Sequence, residues 1–99
     1  MAALHIVSKS PTANSALADC LRACDERAQI LLIEDAVAAA LRYSEWAKRL
    51  HASGHVIRVL DIDCEARGMR ERIDAAFAVI DHAQFVQLCC EYEPIVSWY

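Results

Sequence analysis

The chain has 99 residues, of which 57% are hydrophobic and only two each are glycine and proline. The length predicts one domain spanning residues 1–99, and the composition excludes a disordered or loop-built chain. The formal net charge is −4 and no run of Lys or Arg occurs, which argues against direct binding of nucleic acid.

The first residues, MAALHIVSKSP, lack a basic region before their short apolar run, so no export signal is predicted. No apolar segment reaches the roughly 18 residues that a membrane span requires. We therefore expect a cytoplasmic protein whose five cysteines are reduced thiols, because an odd number in that compartment does not indicate a disulfide framework.

Short apolar runs alternate with helical patterns along the chain. Strands are predicted at residues 4–7, 30–33, 56–60, 77–80 and 94–98. Helices are predicted at about 12–25, 35–50 and 81–92, with a shorter helical turn around 65–74 and Ser53-Gly54 ending the second helix. Continuous apolar runs are typical of parallel strands covered on both faces. The sequence thus predicts a three-layer α/β/α domain with a mostly parallel five-stranded sheet.

The predicted helix 35–50 has apolar residues on two sides. Val37 and Leu41 mark one side, and Tyr43, Trp46 and Leu50 mark the other. A helix that is apolar on both sides needs cover on both sides, so this pattern predicts contact with another chain.

Acidic residues gather where strands pass into helices, at Glu34, Asp35, Asp61, Asp63 and Asp81. Ligands of open α/β sheets bind outside these strand ends, but a nucleotide site would carry glycines there. The favoured interpretation is capping of the following helices. A paired-carboxylate active site is the alternative. No cofactor is predicted.

Two cysteines lie four residues apart in the first predicted helix. On a helical wheel Cys24 falls in the middle of the stripe of Leu17 and Leu21, which predicts a core position. Cys20 falls at the margin of that stripe, beside alanines. It is about two turns inside the helix, so the terminal dipole does not activate its thiol.

The other cysteines carry weaker signals. Cys89 shares an apolar helix face and is expected in the core, Cys90 lies on the flank, and exposure of Cys64 in a turn is possible. The chain has no C-x-x-C, and His51 and His55 are separated by the Ser53-Gly54 break. No structural metal site is predicted.

Five blocks of sequence resemble one family. The stretches LHIVSKSP (4–11), LLIEDAVAAAL (31–41), DCEARG (63–68), IDHAQFVQL (80–88) and SW (97–98) are similar, in order and spacing, to the DsrH/TusB family of small sulfur-relay subunits. Ala36, Cys64 and His82 depart from that family's pattern, which has glycine, leucine and tyrosine there. None of them is the expected relay position.

The resemblance implies a five-stranded α/β fold related to the DsrE-like proteins. It also implies a hetero-hexamer with two copies each of three homologous chains, the partners being DsrE/TusD-type and DsrF/TusC-type subunits. Sulfur would travel as a persulfide, with its principal carrier cysteine on the DsrE/TusD-type partner, and would pass to a downstream acceptor protein. One branch serves 2-thiolation of the tRNA wobble uridine, and the other works with dissimilatory sulfite reductase.

Chains of the sulfur-oxidising branch tend to carry a cysteine at the position that matches Cys20. The resemblance therefore implies that Cys20 handles sulfur in a DsrEFH-type complex of sulfur oxidation, the chain being a carrier subunit and not an enzyme. Two alternatives stay open. The chain is a TusB-type subunit of the tRNA-thiolation relay, or it is an architectural subunit without its own carrier cysteine. Direct nucleic-acid and membrane contacts are not expected.

Overall fold

The computed structural model describes residues 2–99. They form one five-stranded sheet in the spatial order β4-β3-β2-β1-β5. Every neighbouring pair of strands is parallel, for example Leu4 of β1 beside Gln29 of β2. The predicted fold class is confirmed. The strands are β1 (Leu4–Val7), β2 (Gln29–Leu32), β3 (Val56–Leu60), β4 (Ala78–Ile80) and β5 (Ile95–Trp98).

In the described part of the chain, four α-helices and two 3-10 helices connect the strands. The α-helices are α1 (Ala16–Ala23), α2 (Glu45–Ala52), α3 (Asp61–Ala66) and α4 (His82–Glu91), and the 3-10 helices span Glu34–Ala40 and Arg70–Arg72. The predicted helices at 12–25 and 65–74 are therefore shorter or shifted. The end of α2 is as predicted, because Gly54 takes a positive φ of 76° directly after Ser53.

Both faces of the sheet are covered. One core contains Val7, Ile30 and Leu32 of the strands and residues of α1, α2, α3 and the first 3-10 helix. The other contains Leu4 and Leu31 with side chains of α4. Because alternate residues of a strand point to opposite faces, each apolar strand supplies both cores at once.

The prediction of one helix over 35–50 is wrong. Leu41 has an extended backbone and forms a bridge with Ile73, and Tyr43 has a φ of 67°. A new helix then begins after Ser44, whose hydroxyl accepts a hydrogen bond from the Ala47 N–H at 3.0 Å. Val37 lies in the first 3-10 helix and Trp46 and Leu50 lie in α2, and all three pack inside this chain. Leu41 and Tyr43 lie between the two elements.

The prediction of a helix at 81–92 is confirmed by α4. Asp81 precedes its first turn, and the carboxylate accepts from the Gln84 N–H at 2.8 Å while the Gln84 side chain accepts from the Asp81 N–H at 2.9 Å. This reciprocal pair is a capping box, and it fixes where the helix begins. Within residues 2–99, no helix is both long and apolar enough to cross a membrane.

Replacing Asp81 by alanine removes the side-chain half of the capping box. We expect Asp81→Ala to lower the free energy of unfolding by about 1 kcal/mol, measured by urea denaturation. Asp81→Asn is the matched control, since asparagine caps equally well, and its stability should stay near that of the unchanged protein. Equal stability of the alanine variant and the unchanged protein would contradict this role.

Candidate functional site

The acidic side chains at the carboxyl ends of β2 and β3 are occupied by hydrogen bonds. Asp63 accepts from the Glu34 backbone N–H at 2.8 Å, and its other oxygen lies 3.7 Å from Arg67 Nη1. Arg67 Nε also donates to Asp35 at 3.0 Å. Each of these carboxylates except that of Glu34 thus has an arginine or a backbone N–H as partner.

Two further acids complete this edge of the sheet. Asp61 accepts from Arg70 Nε at 2.7 Å, and Asp81 caps α4. The prediction that these acids cap helices is confirmed for Asp81. At the other positions the carboxylates mainly tie neighbouring segments together through arginine. This arrangement neutralises charge and does not resemble a pair of free carboxylates poised for acid–base chemistry.

A cluster of sulfur and nitrogen groups lies where β1 meets the C-terminal end of α1. His5 comes from β1, and Cys20 and Cys24 come from the C-terminal half of α1 and its cap. A ring nitrogen of His5 and the two Sγ atoms lie within 4.8 Å of one another. The two sulfurs are 3.8 Å apart. We call these three residues the His5–Cys20–Cys24 cluster.

The wheel places Cys24 in the middle of the buried stripe and Cys20 at its margin, and the structure reverses this order. Cys20 is fully buried, whereas Cys24 is only half-buried. The buried residues of α1 are Ala16, Leu17 and Cys20. Cys24 follows the last helical residue and has an extended backbone, so the helical wheel does not describe it.

Burial governs the protonation of both thiols. It raises the pKa of Cys20 strongly, with the neighbouring Cys24 adding to the effect, and it raises the pKa of Cys24 as well. Both groups are therefore thiols at neutral pH. A thiolate is the nucleophile in sulfur transfer, so neither cysteine is activated within this chain.

His5 is nearly buried, with 6% of its surface exposed. Its Nδ1 accepts a hydrogen bond from the Trp98 indole N–H at 3.0 Å, across the β1–β5 pair. Burial lowers the pKa of His5, so the ring is neutral at pH 7. The sequence analysis missed this residue. The signal was a histidine inside an otherwise apolar parallel strand, where a polar group needs a specific partner.

A cleft of about 380 Å³ opens beside Cys24. It lies at the amino edge of the sheet, where α1 and α2 end. Its lining residues are Cys24, Asp25, Glu26, Ser53, Gly54 and His55. Asp25 is engaged locally, since its carboxylate accepts from the N–H groups of Arg27 and Ala28. We call this the Cys24 cleft, and through it Cys24 is reached from solvent while Cys20 lies behind.

The remaining cysteines occupy other places. Cys64, for which exposure was considered, is fully buried in the α3 packing, where burial and the nearby Asp61 raise its pKa to about 11. Cys89 is half-buried against the α4 core, which is a weaker burial than expected, and Cys90 is exposed on the flank. None of these three joins the His5–Cys20–Cys24 cluster.

The fold and the cluster define a class of protein, a small parallel α/β domain whose reactive groups are cysteines. Its sequence has no glycine-rich phosphate-binding loop. Residues 9–95 match the family described as DsrH like protein. The chain is 41% identical to Protein TusB of Pectobacterium parmentieri, over 96% of this chain and 99% of that one. Identity to Protein TusB of Yersinia pestis (strain Pestoides F) is 34% over the same shares.

The crystal structure of the YchN protein from E. coli has a similar fold. The TM-score is 0.75 at 17% sequence identity, covering 98% of this chain and 99% of that one. At this identity the similarity concerns the fold alone. Family membership rests on the family match and on the TusB relatives. The chain belongs to the DsrH/TusB family of sulfur-relay subunits.

The buried Cys64 thiol should make stability depend on alkaline pH. Its folded pKa of about 11 exceeds the ordinary value of 9.0, so its contribution is complete below pH 9 and is lost as the pH rises through 11. We expect the unfolding free energy of the unchanged protein to fall over this range by on the order of 2 kcal/mol relative to Cys64→Ala. Urea denaturation at several pH values measures the difference. Parallel pH profiles for the two proteins would contradict the assignment.

Proposed function

We propose that this chain acts, as one domain over residues 1–99, as a TusB-type subunit of the sulfur relay for 2-thiolation of the tRNA wobble uridine. The observation that carries the proposal is the 41% identity to a TusB protein over nearly the whole of both chains. Further TusB relatives at 34–35% identity support it. The tRNA role itself is what the family resemblance implies.

The proposed role is that of a carrier or structural subunit, not of an enzyme. The support is chemical, since a group that attacks a persulfide has to be reachable and ionised. Cys20 is fully buried, and burial raises its pKa. The principal persulfide chemistry is therefore proposed to belong to the DsrE/TusD-type partner.

The proposed assembly is a cytoplasmic hetero-hexamer with DsrE/TusD-type and DsrF/TusC-type subunits, which passes sulfur to a downstream acceptor. Several large apolar side chains on the surface support contact with other chains, because such residues anchor interfaces. They are Tyr43, Val56, Ile62, Val86, Ile95 and Tyr99. This support replaces the two-sided helix 35–50, which the fold has shown to be two elements.

The expected DsrEFH-type role in sulfur oxidation is the second candidate. The observation that favours it is the thiol at position 20, where chains of that branch tend to carry one. The TusB relatives favour the tRNA branch, and they cover nearly the whole chain, whereas the thiol is a single position. We therefore rank tRNA thiolation first.

Complementation distinguishes the two branches. A bacterial strain that lacks its own TusB is given this chain, and the 2-thiouridine content of its tRNA is measured by mass spectrometry of nucleosides. We expect restoration of the modified nucleoside. The control is co-purification with the host's partner subunits. Failure to restore it despite assembly with those partners would contradict the tRNA role and favour the second candidate.

Cys20 is proposed as a secondary sulfur acceptor whose thiol becomes reachable only when a partner chain opens the α1 packing. The complex is supplied with a persulfide donor, and each chain is weighed by intact mass. In a Cys90→Ser background, which removes the exposed thiol, we expect one added sulfur atom on this chain in the complex and none on the isolated chain. Cys20→Ser should abolish the gain, whereas Cys64→Ser, the matched buried-thiol control, should retain it.

Two results would contradict that role of Cys20. The complex would gain no sulfur on this chain, or the Cys20→Ser variant would gain as much as the unchanged protein. Either result leaves the architectural alternative, in which the subunit shapes the hexamer and its cysteines pack the interior. The tRNA complementation is independent of this outcome, because an architectural subunit would also restore thiolation.

A further inference from the structure

We propose that the His5–Cys20–Cys24 cluster is a binding site for a thiophilic divalent cation of the Zn²⁺ class. The inference goes beyond the sulfur-relay function and does not depend on it. It also goes beyond the sequence analysis, which predicted no metal site because the three ligands do not form a recognisable sequence motif. Cys20 comes from α1 and Cys24 from its C-cap, and His5 comes from a strand, 15 residues before Cys20.

The two sulfurs already have the spacing of a tetrahedral site. Two Zn–S bonds of 2.3 Å that meet at the tetrahedral angle place their sulfurs about 3.8 Å apart. The Sγ atoms of Cys20 and Cys24 are 3.8 Å apart. Cys24 is the C-cap of α1, and its N–H donates to the Cys20 carbonyl oxygen at 3.0 Å, so the last hydrogen bond of the helix holds the two residues together.

The His5 ring provides the third ligand at a compatible distance. The three ligand atoms lie within 4.8 Å of one another. A metal ion at the centre of such a triangle is therefore no more than about 2.8 Å from each of them. Zn–N and Zn–S bonds of roughly 2.0–2.3 Å then require each ligand atom to move inward by no more than about 0.8 Å. Imidazole and thiolate are both ligands that Zn²⁺ prefers.

The Cys24 cleft leaves the fourth position open. Its walls include Asp25 and His55, and both influence the pKa of His5, which places them near the cluster. Two backbone N–H groups donate to Asp25 Oδ1, and within residues 2–99 neither Asp25 nor His55 brings a ligand atom within 4.8 Å of all three. The fourth ligand is therefore a water molecule, and the cleft is also the path by which an ion enters.

Binding has a defined proton balance and involves no redox step. Each cysteine binds as a thiolate, so two protons leave when the ion enters, and His5 binds as the neutral ring. In the metal-free chain His5 Nδ1 accepts from Trp98, which leaves the ring proton on Nε2. Coordination through Nε2 moves that proton to Nδ1. The Trp98 hydrogen bond then breaks, and the indole becomes a reporter of binding.

The test is a titration of the reduced full-length protein with Co²⁺, a spectroscopic substitute for Zn²⁺, under anaerobic conditions. We expect one equivalent to produce sulfur-to-cobalt charge-transfer absorption and the visible bands of a tetrahedral ion, both removed by Zn²⁺. Cys24→Ser should weaken binding at least about tenfold, which is the smallest loss expected even for a residue that only hydrogen-bonds to a metal ligand. His5→Gln should weaken it to a similar degree.

Matched variants keep the result interpretable. Cys20→Ser should also lose the absorption, and Cys64→Ser controls for the loss of a fully buried thiol elsewhere. Cys90→Ser controls for adventitious binding to an exposed thiol and should leave the spectrum unchanged. Because Cys24 is only half-buried, its variant tests the site even if Cys20→Ser fails to fold.

Trp98 supplies an independent readout. Zn²⁺ should change the fluorescence of the unchanged protein, and Trp98→Phe should bind Co²⁺ at least as tightly, since it no longer holds Nδ1 as an acceptor. Absence of charge-transfer absorption in the unchanged protein would overturn the proposal. So would equal loss of absorption in Cys90→Ser, or full binding by Cys24→Ser. None of these measurements involves sulfur transfer, so they leave the proposed function untouched.

Discussion

The close packing of α1 against β1 determines the chemistry of this protein. Ala16, Leu17 and Cys20 form the buried face of α1, and Cys20 lies in the core that also contains Val7 and Ile30. A thiol in that position is stabilised in its protonated form, because a buried charge without a partner is costly. The same packing holds His5 beside the helix. Reactivity, protonation and metal-ligand geometry at this site all follow from one helix–strand contact.

Much of the fold could be predicted from the sequence, because continuous apolar runs identify strands that are buried on both faces. Residues 4–7 and 56–60 were predicted with their observed bounds, and α4 was nearly so. The error at 35–50 has a long-range cause. The Leu41–Ile73 bridge joins two segments that are distant in the sequence, and no local pattern reports it. The alanine-rich stretch before it has high helix propensity, but tertiary contact prevailed.

The site was harder to predict than the fold. The stripe of Leu17 and Leu21, from which the burial of Cys24 is predicted, does not mark the centre of the buried face of α1. The buried face lies on the side of Ala16 and Cys20, so Cys20 is fully buried whereas Leu21 and Cys24 are only partly buried. His5 was overlooked because its partner, Trp98, lies on a strand that pairs with β1 only in the folded state. Family membership supplied the sulfur-relay class, which residue patterns alone did not.

The pairing of β1 with β5 has a consequence for the order in which the molecule assembles. His5 and Trp98 are 93 residues apart, so their hydrogen bond closes a loop of nearly the whole chain. Closing so large a loop early in folding costs conformational entropy, and few contacts have yet formed to offset that cost. Each β–α–β unit from β1 to β4, in contrast, joins segments that are closer in the sequence. The imidazole is therefore expected to acquire its indole partner late in folding. Until then the ring is free to titrate and to bind other groups.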